Sequence, residues 1–436
     1  MPYYVAALAL LYLEVRGRDV VPRVAVPRWP APAWIALLVA CYAAQLDVVR
    51  YAAVTVASVQ PWRAALPIGV AEHGMAHPDA VEAAMLILAA VEVWALAGLY
   101  GSRAGTAAAI AGFLALVALS IWAPATISPD VYAYAGDALL GRSAYHPPNA
   151  IFPGEYASID RLFHPLLPAP YGPLWIAVDR IVTAPFTTLY AKIVALRVLG
   201  AFCYLGLIAA LRGCGVPPRL LAVAAVNPCI AQQYVADAHN DLMGIAAIVV
   251  GAALIGARRP ILGAAAVVVA ALVKLPFVLL AFPVFIRVRS QPLRYGLCAA
   301  AIAVAAALSW IGGGSDYFGG LMVHVPVAGA VFFTNALVTV AALTLLVLGV
   351  LAARRYASAL WIVPMMSSYI ATWYMTYGLP YALERRRILA YLLVALPLAT
   401  ALVDAKFMRP WTSLAALPAV VILDLVLSRR RVRSAA

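Results

Sequence analysis

Apolar residues fill continuous stretches of about 20 along most of the chain, and charged residues gather in the short gaps between them. A barrel strand would instead alternate apolar and polar positions over about ten residues. The pattern therefore predicts membrane-crossing helices. Uninterrupted stretches cover 33–57, 79–100, 104–124, 188–211, 388–404 and 411–428, with further spans meeting at Asp237, and residues 1–13 read as a short first span. Two stretches, 261–286 and 357–384, are broken at their centres, one by Lys274-Leu275-Pro276 and the other by Pro364 and Trp373-Tyr374. Arginines flank each of them at both ends, which predicts broken hairpins whose arms enter and leave on one side. The longest polar stretch runs from Ser128 to about Pro173. The apolar segment after it, 174–186, is short, carries Asp179 and Arg180, and is predicted as an interfacial helix.

Composition turns this pattern into a class. The 436 residues are 65% hydrophobic and 11% charged, where soluble domains run near half and a quarter. A water-soluble domain is excluded, and the expected fold class is an all-α polytopic membrane protein with about 12–13 transmembrane segments. The net charge of +13 is almost all arginine in short loops, so it reports topology and not nucleic-acid binding. Arg16, Arg18, Arg23, Arg28 and Arg103 assign their loops to the cytoplasm, which makes the Ser128 stretch a large first extracytoplasmic loop. Its acids, Asp130, Asp137, Glu155 and Asp160, outnumber Arg142 and Arg161, as suits an external segment. Three parts follow: 1–127, N-terminal transmembrane helices; 128–187, the loop with its interfacial helix; and 188–436, a bundle with the two broken hairpins. The five cysteines show no CxxC spacing, so neither a disulfide framework nor a zinc site is indicated.

Charged groups at membrane depth cost about 2.5–3.5 kcal/mol each, which makes those that persist candidates for function. Asp130 stands where a span enters the loop, in Asp130-Val131-Tyr132-Ala133-Tyr134, followed by Gly141-Arg142 and Tyr145-His146-Pro147. It suits a general base, and it equally suits a helix-starting cap. Tyr171-Gly172-Pro173-Leu174-Trp175 closes the loop as a turn with a belt aromatic or as part of a site. Asn227-Pro228 and Asp237-Ala238-His239-Asn240-Asp241 form a second polar group, at the outer end of one span and the start of the next. A metal held by His239 and its aspartates stays open here, although no second histidine partner is evident. Lys274, with Arg197 and Trp373-Tyr374, completes the set; it is either a snorkelling lysine or a cation for an anionic head group. A carboxylate, phosphate-suited cations and sugar-suited aromatics on one side are what transfer of a sugar from a lipid phosphate requires.

At these residues the chain resembles the GT-C superfamily, in particular the polyprenyl-phosphate-mannose-dependent α-mannosyltransferases of the mycobacterial lipoglycan type. The ordered set that carries the resemblance also includes Leu272-Val273-Lys274-Leu275-Pro276 and Trp373-Tyr374 before Leu379-Pro380, and spans about residues 120–385. The chain departs from the family in having Tyr145-His146-Pro147 where Asn-Pro-Tyr is common, and Ala371-Thr372 where Gln-Pro precedes Trp-Tyr. The resemblance implies a GT-C-like bundle in the cell membrane and an inverting hexosyl transfer, mannosyl by resemblance, to an extracytoplasmic glycan or glycolipid hydroxyl. It implies Asp130 as general base and Lys274, Arg197 and His239 at the donor phosphate. Sugar and acceptor contacts are expected from Tyr132, Tyr134, Arg142, Tyr171, Asn240, Asp241, Trp373 and Tyr374. Polyprenyl-phosphate-sugar is then a co-substrate; a resident cofactor is not expected, and a divalent metal is not expected but stays open. Two alternatives are a flippase for a lipid-linked sugar, which broken helices also fit, and a ligase or polymerase using lipid diphosphate donors. The first would normally have two related halves, and the second more external arginines.

Overall fold

The computed structural model describes residues 27–54, 78–102, 105–123, 130–147, 152, 154–157, 159 and 167–333. Among them there are helices and turns and no strand. The short first span, the 357–384 hairpin with Trp373 and Tyr374, and the two closing spans lie outside the described residues.

Helices α1 (Ala31–Val54), α2 (Pro78–Gly101) and α3 (Thr106–Trp122) lie on three of the predicted apolar stretches. Trp34 of α1 is wholly buried against Trp29 and Trp94, with ring centroids 4.7 and 4.9 Å away. A Cβ on Gly98 would lie 2.4 Å from the Trp34 ring, so a glycine there lets α2 close on α1. Tyr42, also fully buried, ties α1 to two other elements: its hydroxyl is 2.8 Å from Ser120 Oγ of α3 and donates to Gln232 Oε1 at 2.8 Å.

The loop region folds into short helices. α4 (Asp130–Leu140) ends at Gly141, whose φ of 58° is the left-handed conformation that closes many helices. A 3-10 turn, Gly141–Tyr145, follows, and later α5 (Pro173–Thr183) starts with proline in its first turn, where the missing N–H costs nothing. At 11 residues each, α4 and α5 are about 16 Å long and too short to cross a bilayer.

α6 (Leu189–Gly213) is capped by Thr188, whose hydroxyl accepts from Ala191 N at 3.2 Å. The expected next span is interrupted: α7 (Pro218–Ala225) stops before Asn227, α8 (Pro228–Ala231) restarts it, and a π-turn (Gln232–Ala236) ends it. α9 (Asp241–Gly256) then leaves at 115° to the preceding arm. α10 (Pro260–Val273) breaks at Lys274, which is extended (φ −154°, ψ 117°), before a 3-10 helix (Leu275–Leu280) and α11 (Ala281–Phe285). α12 (Gln291–Phe333) closes the described chain, kinked at Gly314 with φ 63°.

Four described helices are long and apolar enough to cross a membrane, and a fifth if the bent pair around residues 237–240 counts as one span. The chain is an all-α polytopic membrane protein. Its spans share one large apolar core, while a second cluster joins Tyr132, Tyr134, Tyr171 and Trp175 of the loop to Leu189, Leu196, Ala238 and Val273 at the helix ends. That second cluster positions the site.

Candidate active site

Asp130 is the first residue of α4, where the helix's positive end favours a carboxylate. Its side chain is 24% exposed, and its Oδ2 lies 3.4 Å from Nδ1 of His239. Residues from the loop and from a turn more than a hundred positions later thus meet. The sequence places this turn at the outer end of one span and the start of the next; in the fold Asp237, His239, Asn240 and Asp241 are all buried.

Local chemistry explains the turn. The Asn227 carboxamide oxygen accepts from Cys229 N at 2.9 Å and Ile230 N at 3.3 Å, restarting the helix after the break. The π-turn is held from outside. A Cβ on Gly200 of α6 would lie 2.1 Å from the Tyr234 carbonyl oxygen, so only glycine allows this approach. Arg197, 3% exposed, donates from Nε to Ala236 O at 2.7 Å and from Nη1 to Ile121 O at 2.9 Å. Gln232 donates to Asp237 Oδ1 at 3.4 Å. Ala238, buried between Asp237 and His239, has φ 54°, a conformation that costs a non-glycine residue about 1–3 kcal/mol and persists where surrounding structure enforces it. Such strain and π-turns recur at functional sites.

Lys274 is no snorkelling lysine. Its ammonium donates to Asp241 Oδ1 at 2.8 Å and lies 5.9 Å from the Tyr171 ring centre. Tyr171 in turn packs edge-on to Tyr134, with centroids 5.0 Å apart, and Tyr134 likewise to Trp175. The Tyr-Gly-Pro motif has a steric reason: Gly172 N donates to Val273 O at 2.9 Å, and a Cβ there would lie 2.1 Å from Leu272 O. The loop is thereby clamped to the α10 break beside Lys274.

Of the expected phosphate cations, His239 and Lys274 share this neighbourhood, whereas the Arg197 hydrogen bonds go to the backbone of α3 and the π-turn. Arg142 is exposed on the 3-10 turn, its Nη2 3.1 Å from where a Gly314 Cβ would be. Tyr132 is buried within the second cluster. Asn240 is 2% exposed, and neither its amide nitrogen nor its amide oxygen has a hydrogen-bond partner among the described residues. Among those residues no three His, Cys, Asp or Glu side chains converge as a metal site would need.

Sequence reasoning gave no role to two buried acids beneath the loop helices, Asp137 and Asp179. Burial pushes the Asp137 carboxyl well above the usual carboxylate range, and the charge of Asp130 adds to the rise. Burial likewise raises Asp179, with Asp137 adding to it and Lys192 opposing. The seven-residue spacing of Asp130 and Asp137, two turns on one face of α4, was the available signal.

The site thus combines a partly exposed carboxylate facing a histidine, a lysine–aspartate pair, a buried amide and a wall of tyrosines. A family model described as "Alpha-(1->6)-mannopyranosyltransferase, N-terminal domain" matches residues 48–289, more than half of the chain and every one of these groups. No curated protein and no solved structure matches. On the strength of this match, the chain belongs to the MptA_B family of α-mannosyltransferases.

Proposed function

We propose that this chain transfers mannose from a polyprenyl-phosphate carrier to a hydroxyl of a glycan or glycolipid on the extracytoplasmic face, inverting at the anomeric carbon, without a metal. The observation that carries this reading is the meeting of Asp130 with His239 at 3.4 Å, in a member of an α-mannosyltransferase family. Asp130 takes the proton of the acceptor hydroxyl while that oxygen attacks the anomeric carbon. The bond from that carbon to the phosphate oxygen breaks, and its electron pair leaves with the polyprenyl phosphate. Lys274 and His239 meet the growing negative charge in a site where little water screens it. Asn240 offers its amide to sugar hydroxyls, the Tyr171 and Tyr134 rings flank the sugar, and Trp373 and Tyr374 border the acceptor. Arg197, which fixes the turn from its other side, also meets the phosphate. The family match favours transfer over a flippase or a diphosphate-using ligase.

An inverting enzyme that makes an α linkage needs a β-linked donor. The full-length protein in lipid is therefore expected to use β-mannosyl polyprenyl phosphate and to give an α-mannoside, read from labelled product by its anomeric coupling. Use of the α-linked donor, or of a nucleotide-linked mannose in its place, would overturn the reading.

A further inference from the structure

A cavity of about 1260 Å³ lies between α1 and α3, larger than the roughly 300–1,000 Å³ of a drug-sized pocket. The two helices touch along one edge, at Ile35 against Gly112 and Tyr42 against Ser120, and part along the other. Along that open side Ala36, Ala40 and Ala43 face Ala111, Ala115 and Ala118 at helical spacing. Small residues in a bilayer ordinarily let helices close on each other; here they line open space. From Pro32 to Asp47 the groove follows about 22 Å of helix, most of a hydrocarbon core. One end is walled by Trp122, Tyr190 and Arg197, while Asp47 is exposed at the rim.

We infer that this groove holds the polyprenyl chain of the lipid-linked sugar donor, an inference that rests on the function proposed above. Two independent features select that occupant. The first is continuity with the site: Arg197, which walls the groove, is bonded to the Ala236 carbonyl just before Asp237-Ala238-His239, and α3 ends at Trp122, eight positions before Asp130. The second is the charge at that end. Arg197 is 3% exposed, its Nε and Nη1 donate to backbone carbonyls, and its side chain lines the groove. A guanidinium nitrogen at one end of a long alanine-lined wall fits an anion carrying a single hydrocarbon tail. A sugar would find hydrogen-bonding side chains only at that end, in Asp47, Trp122, Tyr190 and Arg197, and none along the alanine stretch.

The test uses the full-length protein in lipid, with β-mannosyl phosphates of geraniol and of decaprenol as donors. Ala40→Trp and Ala115→Trp fill the groove without touching the site residues. Each is expected to lower kcat/KM for the decaprenyl donor about tenfold or more, because bulky rings displace buried chain, and to leave the geranyl donor within about twofold. Equal loss on both donors, or loss on neither, overturns the groove. Should the wild type use neither donor, the proposed function falls, and the groove assignment with it. In case the tryptophan variants misfold, wild-type protein is photolabelled with a decaprenyl phosphate carrying a photoreactive group in its tail. Labelled peptides from α1 and α3, displaced by decaprenyl phosphate and not by bilayer phospholipid, support the inference. Labelling elsewhere, or equal displacement by phospholipid, marks the groove as an ordinary lipid site and overturns it.

Discussion

A methyl group on Gly172 would sit 2.1 Å from the backbone oxygen of Leu272, and because both partners are backbone, nothing but a shift of the loop away from the α10 break can relieve it. Gly172→Ala is expected to cost about 1–3 kcal/mol and to lower transfer strongly, measured as thermal unfolding in detergent and as turnover. The ion pair beside it gives a second expectation. Removing one partner leaves the other charge without its compensation, so Asp241→Asn should destabilise by about 3 kcal/mol, and the double variant with Lys274→Met by less than the two single costs summed. Additive losses would show that the 2.8 Å contact carries no coupling. At this scale the sequence was half legible. Lys274 stood out because a lysine inside an apolar run is costly, but its partner Asp241 lies 33 positions away. No local pattern links them. A longer separation still, 109 positions, hid the Asp130 and His239 contact, while the crowding at Gly172 left a visible trace as a glycine between Tyr171 and Pro173.

Elements were more legible than contacts, because an apolar stretch records its helix directly in its own length. The stretch expected at 188–211 is the helix Leu189–Gly213, and 79–100 is Pro78–Gly101. The span before Asp237 was less so: apolar composition is the same in a straight helix and in one that breaks, and only the cap at Asn227 separates α7 from α8. The burial of α4 and α5 was equally hidden, since the acids beneath them looked like solvated loop charges. These acids give a pH expectation. Their carboxyls titrate higher in the fold than the ordinary value of about 4. Between that value and the raised one, the folded protein holds protons that the unfolded chain has released, so stability falls as pH rises. Asp137→Asn and Asp179→Asn remove this term. Each is expected to flatten the decline in melting temperature between acid and neutral pH, and to leave the neutral protein at least as stable; an unchanged slope would contradict the account.

For the molecule as a whole, hydropathy alone fixed the class, and the ordered polar motifs pointed to the family that the match over residues 48–289 establishes. Each motif is short, but their order along one chain is hard to produce by chance, and the structure brings those of the loop, the turn and the α10 break into one cluster. Trp373 and Tyr374 lie beyond both the match and the described residues, so their part in the acceptor site rests on the sequence. The donor, the inversion and the base form the account's central claim, and the base is its most exposed point. Asparagine keeps the size of aspartate and its ability to start a helix, but it cannot accept a proton. The decisive measurement is transfer of labelled mannose from β-mannosyl polyprenyl phosphate, in lipid with membrane extract as acceptor source, by the wild type and by Asp130→Asn. The account predicts transfer by the wild type and a fall of about 10²–10⁴-fold in the variant, with its melting temperature unchanged. Transfer by a well-folded Asp130→Asn at close to the wild-type rate would contradict it, reducing Asp130 to a helix start and leaving the reaction without its base.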